Sequence, residues 1–516
     1  ARVHQPDMHT PPRMTRREFV GAGVLVAAGA AMSTACARVT KGPRTAMQIT
    51  TLHGAQVNVD ASALRELTRR LKGDLLTADV PSYDTARQIW NAAIDRRPAF
   101  IVQCVDARDI AHVMRFAERH EARLSVRSGG HNSAGFALND GGVVIDLRRL
   151  TNIHVDVDRE TARVGGGATF ADFDGATRES GLASTGAIIS MVGVGGYTLG
   201  GGVGWLHRKI GLACDRLVSA EVVLADGRIV EASESSHADL FWALRGGGGN
   251  FGVVSRFEFR LAPISNVLAG LVYHPLEALP DVAAFVRDFN AHAPDDACVW
   301  LMMRKAPASQ TLPAEMHGRP VATIAICYAG SIDEGEKLLR PLREFGSPLL
   351  DRVKVRPYAA WQKSLDGAWG NGFGNQWLGH YLPMLTDASA QTMLDHVSNV
   401  SSPHTDVKLV HLGGAVARVG EDDTAFSYRQ SEYALVIQTR WSNAQESAPH
   451  LAWSRGFFDA MKAHGTGKAY VNFMADEGDE RVKDAYNPHT FARLRAIKTA
   501  YDPHNRFRMN QNIQPG

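Results

Sequence analysis

From residue 99 the chain alternates between short apolar runs and amphipathic stretches. "AFIVQCV" (99–105) is an almost unbroken apolar run of strand length. "DARDIAHVMRFAERHE" follows it at helical spacing, with Ile110, Val113, Met114 and Phe116/Ala117 on one face. Asp106 or Asp109 suits the N-cap of that helix, because a short carboxylate can accept from its unpaired first N–H groups. "ARLSVRS" reads as the next strand and ends in Gly129-Gly130. "GVVIDL", "IHVDVDRETARVGGG" and "SAEVVLADGRIVEA" read as strands. The last is a hairpin, because Asp226-Gly227 offers the positive φ of a tight turn. "TFADFDGATRESG" predicts a helix stopping at Gly181, "HADLFWALR" a short helix, and "GNFGVVSRFEFRLAP" a strand ending at Pro263.

Beyond Pro263 the pattern changes and glycine clusters stop. "LEALPDVAAFVRDFNAHAP" and "SIDEGEKLLRPLREFG" read as helices; "VATIAICYAG", "VKLVHLGGAVARV" and "SEYALVIQTRW" read as strands. This predicts a second α+β domain over 264–467. A helix from Pro488 to Tyr501 and a polar coil close the chain.

The bulk numbers then exclude several classes. At 516 residues with 45% hydrophobic and 21% charged positions, the composition is that of a globular protein with a large core. A net charge of +2 gives no basic field for nucleic acid. Five cysteines (Cys36, Cys104, Cys214, Cys298, Cys327) form no spacing suited to zinc, so no metal is expected.

Near the N-terminus, Arg16-Arg17 precede a short apolar run, Phe19 to about Met32, and then "ACA" at 35–37. The run is shorter than the ~20 residues of a membrane span. A positive flank, a short apolar stretch and a small-x-small site describe an export signal of twin-arginine type, which carries folded proteins out of the bacterial cytoplasm. An N-terminal anchor or a chance arginine pair is the alternative. Cys36 raises a lipoprotein reading, disfavoured by Ser33 where an aliphatic residue belongs, and Met14 is an alternative start. The mature protein is expected in the periplasm or outside the cell, without a stable membrane span.

Three glycine-rich stretches carry the candidate chemistry: "VRSGGHNSAG" (126–135), "MVGVGGYTLGGGVGW" (191–205) and "RGGGGNFGVVS" (245–255). Glycine lets a backbone approach a ligand closely, and successive free N–H groups bind anionic oxygens. One such loop is weak evidence. Three, interleaved with Val, Leu, Trp and Phe, favour a backbone wrapped around an extended ligand. Neither GxxxxGK[ST] nor a helix-opening GxGxxG is present, so a P-loop and a Rossmann site are unsupported.

"VRSGGHN", "VGVGGYTLGGGVGWLHRKIGLACD", "LFWALRGGGGNFGVV", "YVNF" and "YDPHNRFRMNQNIQP", in that order, resemble the FAD-linked oxidases of the berberine bridge enzyme type, within the vanillyl-alcohol oxidase superfamily. The resemblance covers about 80–516. It implies an α+β fold: a PCMH-type two-part FAD-binding domain, plus a substrate domain with an antiparallel sheet backed by helices. The expected segments are an export signal with extension (1–37), a lead-in (38–79), the FAD domain (80–263), the substrate domain (264–467) and a C-terminal segment returning to the FAD domain (468–516).

The resemblance also implies roles. His131 falls where the family bonds the flavin 8α-methyl, which suits an imidazole with a nucleophilic ring nitrogen. The family's second, cysteinyl link falls on Ile189, which has no nucleophile, so a single histidyl bond is expected, as in the 6-hydroxy-D-nicotine oxidase branch. Arg127, Ser128, Gly129, Gly130 and Asn132 flank His131 as cofactor contacts. Gly193, Gly195, Gly196, Tyr197, Gly200, Gly201 and Gly204 form the second loop, and Gly249, Asn250, Gly252, Val253 and Val254 the third. Asn472, Asn510 and Asn512 are contacts from the C-terminal segment. Val192 stands at the oxygen-gate position, and a small residue there implies an oxidase that makes hydrogen peroxide.

The family's glutamate base falls on Val436, so no carboxylate remains there. Tyr470, in "YVNF", is the candidate base instead, with Phe473 replacing a second tyrosine. A phenol needs help to act as a base near neutral pH. His380, Tyr381, Trp377, Gln438 and Arg440 are further candidates. Strand alternation puts Gln438 and Arg440 on one face, without saying which face meets the substrate. The expected function is hydride transfer from a small alcohol, hydroxylated ring or amine to covalent FAD, with O2 as acceptor. A dehydrogenase using another acceptor and a non-catalytic flavin-binding envelope protein are the alternatives.

Overall fold

The strands expected at "AFIVQCV", "ARLSVRS" and "GVVIDL" lie together in a four-stranded sheet. In the computed structural model, which describes residue 43 and residues 45–516, Phe100–Gln103 and Leu124–Arg127 both run parallel to Val143–Asp146. Asp74–Thr77 adds antiparallel to Phe100–Gln103. The helix Ala107–Arg119 covers this sheet with Ile110, Val113, Met114 and Ala117 buried. Asp106 is its N-cap, accepting from the backbone N–H groups of Arg108 and Asp109. Asp109 is buried and accepts instead from the N–H groups of Lys72 (2.8 Å) and Gly73 (3.0 Å). The expected export signal at 1–37 lies outside the described residues.

A five-stranded antiparallel sheet follows, in the order Ile229–Ser233, Leu217–Val223, Val253–Arg260, Thr161–Gly165, Ile153–Asp156. The stretch "IHVDVDRETARVGGG" is therefore two strands joined by a hairpin, not one. The "ADGR" turn pairs Leu217–Val223 with Ile229–Ser233 as the turn chemistry predicts.

The second half builds an eight-stranded sheet whose paired strands are all antiparallel. Its central order is Asn266–Pro275, Pro320–Tyr328, Ala297–Lys305, Asp406–His411, Tyr433–Trp441, Gly374–Leu382. Strand alternation gives it two buried faces. Val299, Leu301, Met303, Leu409, Leu435 and Ile437 pack under the helices Leu279–Asn290, Asp387–Ser398 and Ser447–Met461. Trp300, Met302, Val410, Ala434 and Tyr381 face the other way, into a core shared with Trp205, Phe241 and Phe257 of the first half. "VKLVHLGGAVARV" is a strand only as far as His411. Gly413 and Gly414 take φ of 73° and 56°, and Ala415–Arg418 turns into helix.

The C-terminal coil is anchored to the first half. Lys498, fully buried on the helix Pro488–Tyr501, donates to Asp502 (2.8 Å) and to the carbonyls of Asn250 (2.8 Å) and Phe507 (3.1 Å). Asn250 donates to the Gln511 carbonyl (3.1 Å) and accepts from the Ile513 N–H (2.9 Å). The described residues form one compact unit. Among the described residues, no helix is long and apolar enough to cross a membrane.

Candidate active-site cleft

The three glycine stretches meet. Ser128-Gly129-Gly130 leaves the end of the strand Leu124–Arg127 and runs against Val192-Gly193 so closely that side chains are excluded. A Cβ on Gly129 would stand 2.4 Å from the Gly193 nitrogen, and one on Gly193 would stand 2.3 Å from the Gly129 nitrogen. Gly130 takes φ of 73°, a left-handed conformation that turns the chain toward His131. Ser128 Oγ donates to the Gly166 carbonyl (2.8 Å). The second and third stretches are joined at Leu199, whose carbonyl accepts from Gly246 (3.0 Å) and Gly248 (2.9 Å). Asn510 Nδ2 donates to the Gly249 carbonyl (3.1 Å), bringing in the C-terminal coil.

These loops wall one side of a cleft of about 1900 Å³ measured out to its mouth. The inner face of the eight-stranded sheet contributes the opposite wall: Trp300, Trp377, Lys408, Val410, Val436 and Gln438, with Trp369 beside them. Two buried oxygens on the cleft wall, Tyr197 Oη and Asn510 Oδ1, have no protein partner. A long cleft, backbone stripped of side chains and unpaired buried polar atoms on its wall fit an extended dinucleotide such as FAD.

His131 lies on the cleft with its ring stacked on Trp90 (centroids 5.1 Å apart, 21° between planes). Burial, reinforced by the positive charges of Arg127 and Arg440, lowers its pKa to about 4. The imidazole is therefore neutral, with a free lone pair, throughout the physiological range. Ile189 and Val192 line the same cleft. The described cysteines Cys104, Cys214, Cys298 and Cys327 are buried and none is on its wall.

Of the expected contacts, Ser128, Gly129, Gly130, Asn132, Gly193, Gly195, Gly196, Tyr197, Gly249, Asn250, Gly252, Val253, Val254, Asn472 and Asn510 line the cleft. Arg127 does not. Its guanidinium is turned onto the carbonyls of Ala86 and Gln88, so it braces the loop from behind. Gly200, Gly201 and Gly204 sit one layer back, where they admit neighbours. A Cβ on Gly200 would meet Asn472 Oδ1 at 2.2 Å, on Gly201 the Phe426 ring at 2.6 Å, and on Gly204 the Gly186 carbonyl at 1.8 Å. Asn512 lines a second, adjoining cavity with Arg123 and Arg508, which shares Phe136, Met509, Asn510 and Gln511 with the main cleft.

Tyr470 faces the cleft, but its hydroxyl oxygen accepts from the Gly202 N–H (2.7 Å) and from Asn472 Nδ2 (2.8 Å). Burial raises its pKa well above that of an ordinary phenol, outweighing those two bonds. At neutral pH it is a neutral hydroxyl, which weighs against the expected role as base. Asn472 Nδ2 also donates to the Tyr197 carbonyl (2.9 Å), so the "YVNF" turn ties the second glycine stretch to the C-terminal segment.

The structure shows which face of the sheet meets the cleft. Gln438 and Trp377 point in, while His380 points out and stacks on Phe458 (4.0 Å, 17°). Arg440 shares the face of Gln438 but is sealed beneath aromatic rings, with Phe373 at 3.9 Å. Tyr381 is packed in the core and lies off the cleft wall. Among the wall residues not singled out from the sequence are Trp369 and Lys408. Trp369 comes from a loop with no pattern of its own. Lys408 was hidden in "VKLVH", where a lysine within an apolar strand is the one available signal.

Residues 98–233 match the family model described as FAD binding domain, and residues 469–514 match the one described as berberine and berberine like. The chain is 31% identical over 467 residues to (R)-6-hydroxynicotine oxidase of Paenarthrobacter nicotinovorans, covering 86% of this chain and 97% of that protein. It is 30% identical over 453 residues to an uncharacterised FAD-linked oxidoreductase of Bacillus subtilis, covering 86% and 98%. Among solved structures, 6-hydroxy-D-nicotine oxidase of Arthrobacter nicotinovorans superposes with a TM-score of 0.78 at 29% identity, covering 86% and 98%. A chitooligosaccharide oxidase shares the fold, with a TM-score of 0.76 at 23% identity and coverage of 87% and 98%.

Proposed function

Because the chain belongs to the berberine-like FAD-linked oxidoreductases, we propose that it is an oxidase carrying FAD on a single bond from His131 and oxidising a small alcohol, hydroxylated ring or amine. FAD, when bound, supplies a two-electron acceptor for a hydride from substrate carbon. The chain's own part is to hold that group and the substrate face to face. The glycine stretches 128–130, 193–196 and 248–250 offer backbone close enough to cradle it. His131 presents an uncharged ring nitrogen, the form needed for a bond to carbon. The tryptophan-lined sheet face shuts out water opposite. With Ile189 in place of a nucleophile, the tether rests on His131 alone, and Val192 leaves room for O2.

The observation that carries this reading is the abutment of Gly129 and Gly193 beside a partly buried, neutral His131. Two named relatives, the nicotine oxidase and the chitooligosaccharide oxidase, are oxidases, which supports O2 as acceptor. The test is acid precipitation of purified protein, followed by a visible spectrum and peptide masses. A yellow pellet with a flavin-sized mass on the peptide containing His131 is expected. Free FAD in the supernatant with an unmodified peptide would sink the histidyl bond. Stopped-flow reoxidation by O2 and by a quinone then separates oxidase from dehydrogenase, and fast reoxidation by quinone alone rejects the oxidase. The twin-arginine motif adds the proposal that the holoenzyme is exported folded, checked by locating it in cell fractions after Arg16 and Arg17 are replaced by lysine.

A further inference from the structure

The sheet wall carries one cation, and it has no assigned part. Lys408 is 2% exposed and faces the cleft, the only lysine on its wall among the described residues. Its Nζ contacts Asp406 Oδ2 (3.0 Å), donates to Gln438 Oε1, and lies 4.6 Å from the centre of the Trp369 ring. Its ladder partner is Val436.

We propose that Lys408, held by Asp406 and Gln438 against Trp369, is the group that accepts the proton leaving the substrate's O–H or N–H. The proposal rests on the flavin-dependent reading above. In the step, FAD when bound would supply the two-electron oxidant, taking a hydride as the substrate C–H bond breaks. The O–H or N–H bond breaks with its proton passing to the Nζ lone pair. A C=O or C=N bond forms, and the amine becomes an ammonium.

The local charges favour this direction. Asp406 is 1% exposed and already pairs with Arg304 from the neighbouring strand (3.1 Å). With Lys408 neutral, the buried cluster is a balanced carboxylate–guanidinium pair; with Lys408 protonated it carries an extra positive charge in a low-dielectric site. Burial, with a smaller push from Arg304, lowers the Lys408 pKa to about 8 despite Asp406. Both forms are then accessible near neutral pH, which is what proton transfer needs. After the transfer, Asp406 stabilises the new ammonium. Gln438 and Trp369 are uncharged, and Arg440 lies on the far rings, 5.5 Å from the centre of Trp369.

The test uses the flavin-loaded protein and 4-nitrophenol, an acidic ring hydroxyl whose absorbance reports ionisation. Difference spectra are recorded across pH for wild type, Lys408→Met and Tyr470→Phe, with the visible flavin band confirming that each variant is folded. Bound to wild type, the probe is expected to titrate about 1–3 pH units below the free phenol. Lys408→Met is expected to abolish that displacement, and Lys408→Gln serves if the Met variant does not hold flavin. Equal titration in wild type and both Lys408 variants overturns the proposal, as does failure of wild type to bind the probe. A displacement that persists in Lys408→Met but disappears in Tyr470→Phe assigns the proton to the phenol and also overturns it. None of these outcomes depends on whether the flavin is bonded to His131.

Discussion

A bond from His131 to carbon requires a ring nitrogen without a proton, and the residue's surroundings supply it. With its pKa lowered to about 4 by burial, Arg127 and Arg440, the ring stays neutral from about pH 5 upward. Flavin attachment to apoprotein is therefore expected to proceed at a rate independent of protonation at this ring between about pH 5 and 8, followed by acid-resistant absorbance. A midpoint near the ordinary histidine value of about 6.5 would contradict this. His131→Ala should leave a yellow protein that loses its flavin on acid precipitation. Tyr470 belongs to the same scale. Tyr470→Phe strands the Gly202 N–H and one Asn472 donor in a buried site, a loss of about 1–3 kcal/mol in thermal or denaturant unfolding.

Between elements, legibility divides by the range of the interaction that gives a residue its meaning. The glycine stretches could be read because a close backbone approach leaves a local trace in residue type. The strand at 433–441 could be read because its apolar run has strand length, and alternation placed Gln438 and Arg440 together. What alternation withheld was which face met the cleft, since both faces of this sheet are buried. Lys408 shows the limit most clearly. Its bond to Gln438 spans 30 positions, and the Arg304–Asp406 pair that conditions it spans 102, so no window around "VKLVH" contains its environment. Arg127 failed in the opposite way. Its place in the glycine motif implied a cofactor contact, whereas two carbonyls of a distant turn hold it. The loop contact makes a sharp prediction. Gly129→Ala or Gly193→Ala forces a methyl to within 2.4 Å of backbone, so flavin incorporation should collapse even where the protein remains soluble, as read from the visible band per protein. Gly196, with nothing within 4 Å of its Cβ position, is the control, and its Ala variant should keep a folded protein of wild-type thermal midpoint.

Across the whole molecule, buried histidines outside the cleft, His207, His380 and His411 among them, link stability to acid. Burial lowers His380 to about 4, and burial with Arg208 lowers His411 to about 3. Unfolded, each takes up a proton near 6.5. Between about pH 6.5 and 4 the unfolded chain thus binds more protons, and stability falls as pH drops through that window. Thermal midpoints measured from pH 7 to 4 should decline, and His380→Phe should flatten the decline; an unchanged slope rejects the assignment. The same scale holds the clasp at Asn250, which bonds residues 511 and 513 while Lys498 holds its carbonyl. Asn250→Ala should cost about 3 kcal/mol and expose the last residues to protease. That clasp bears on timing as well. Arg508 donates to the carbonyl of Leu52, 456 positions earlier, and the cleft lacks Asn510 and Gln511 until the end of the chain has been made. A ribosome releases residue 131 long before residue 510, so the nucleus of this site waits, half walled, for most of translation. Completion of the proposed FAD cleft is therefore a late event, and a product truncated before Asn510 is expected to lack flavin colour.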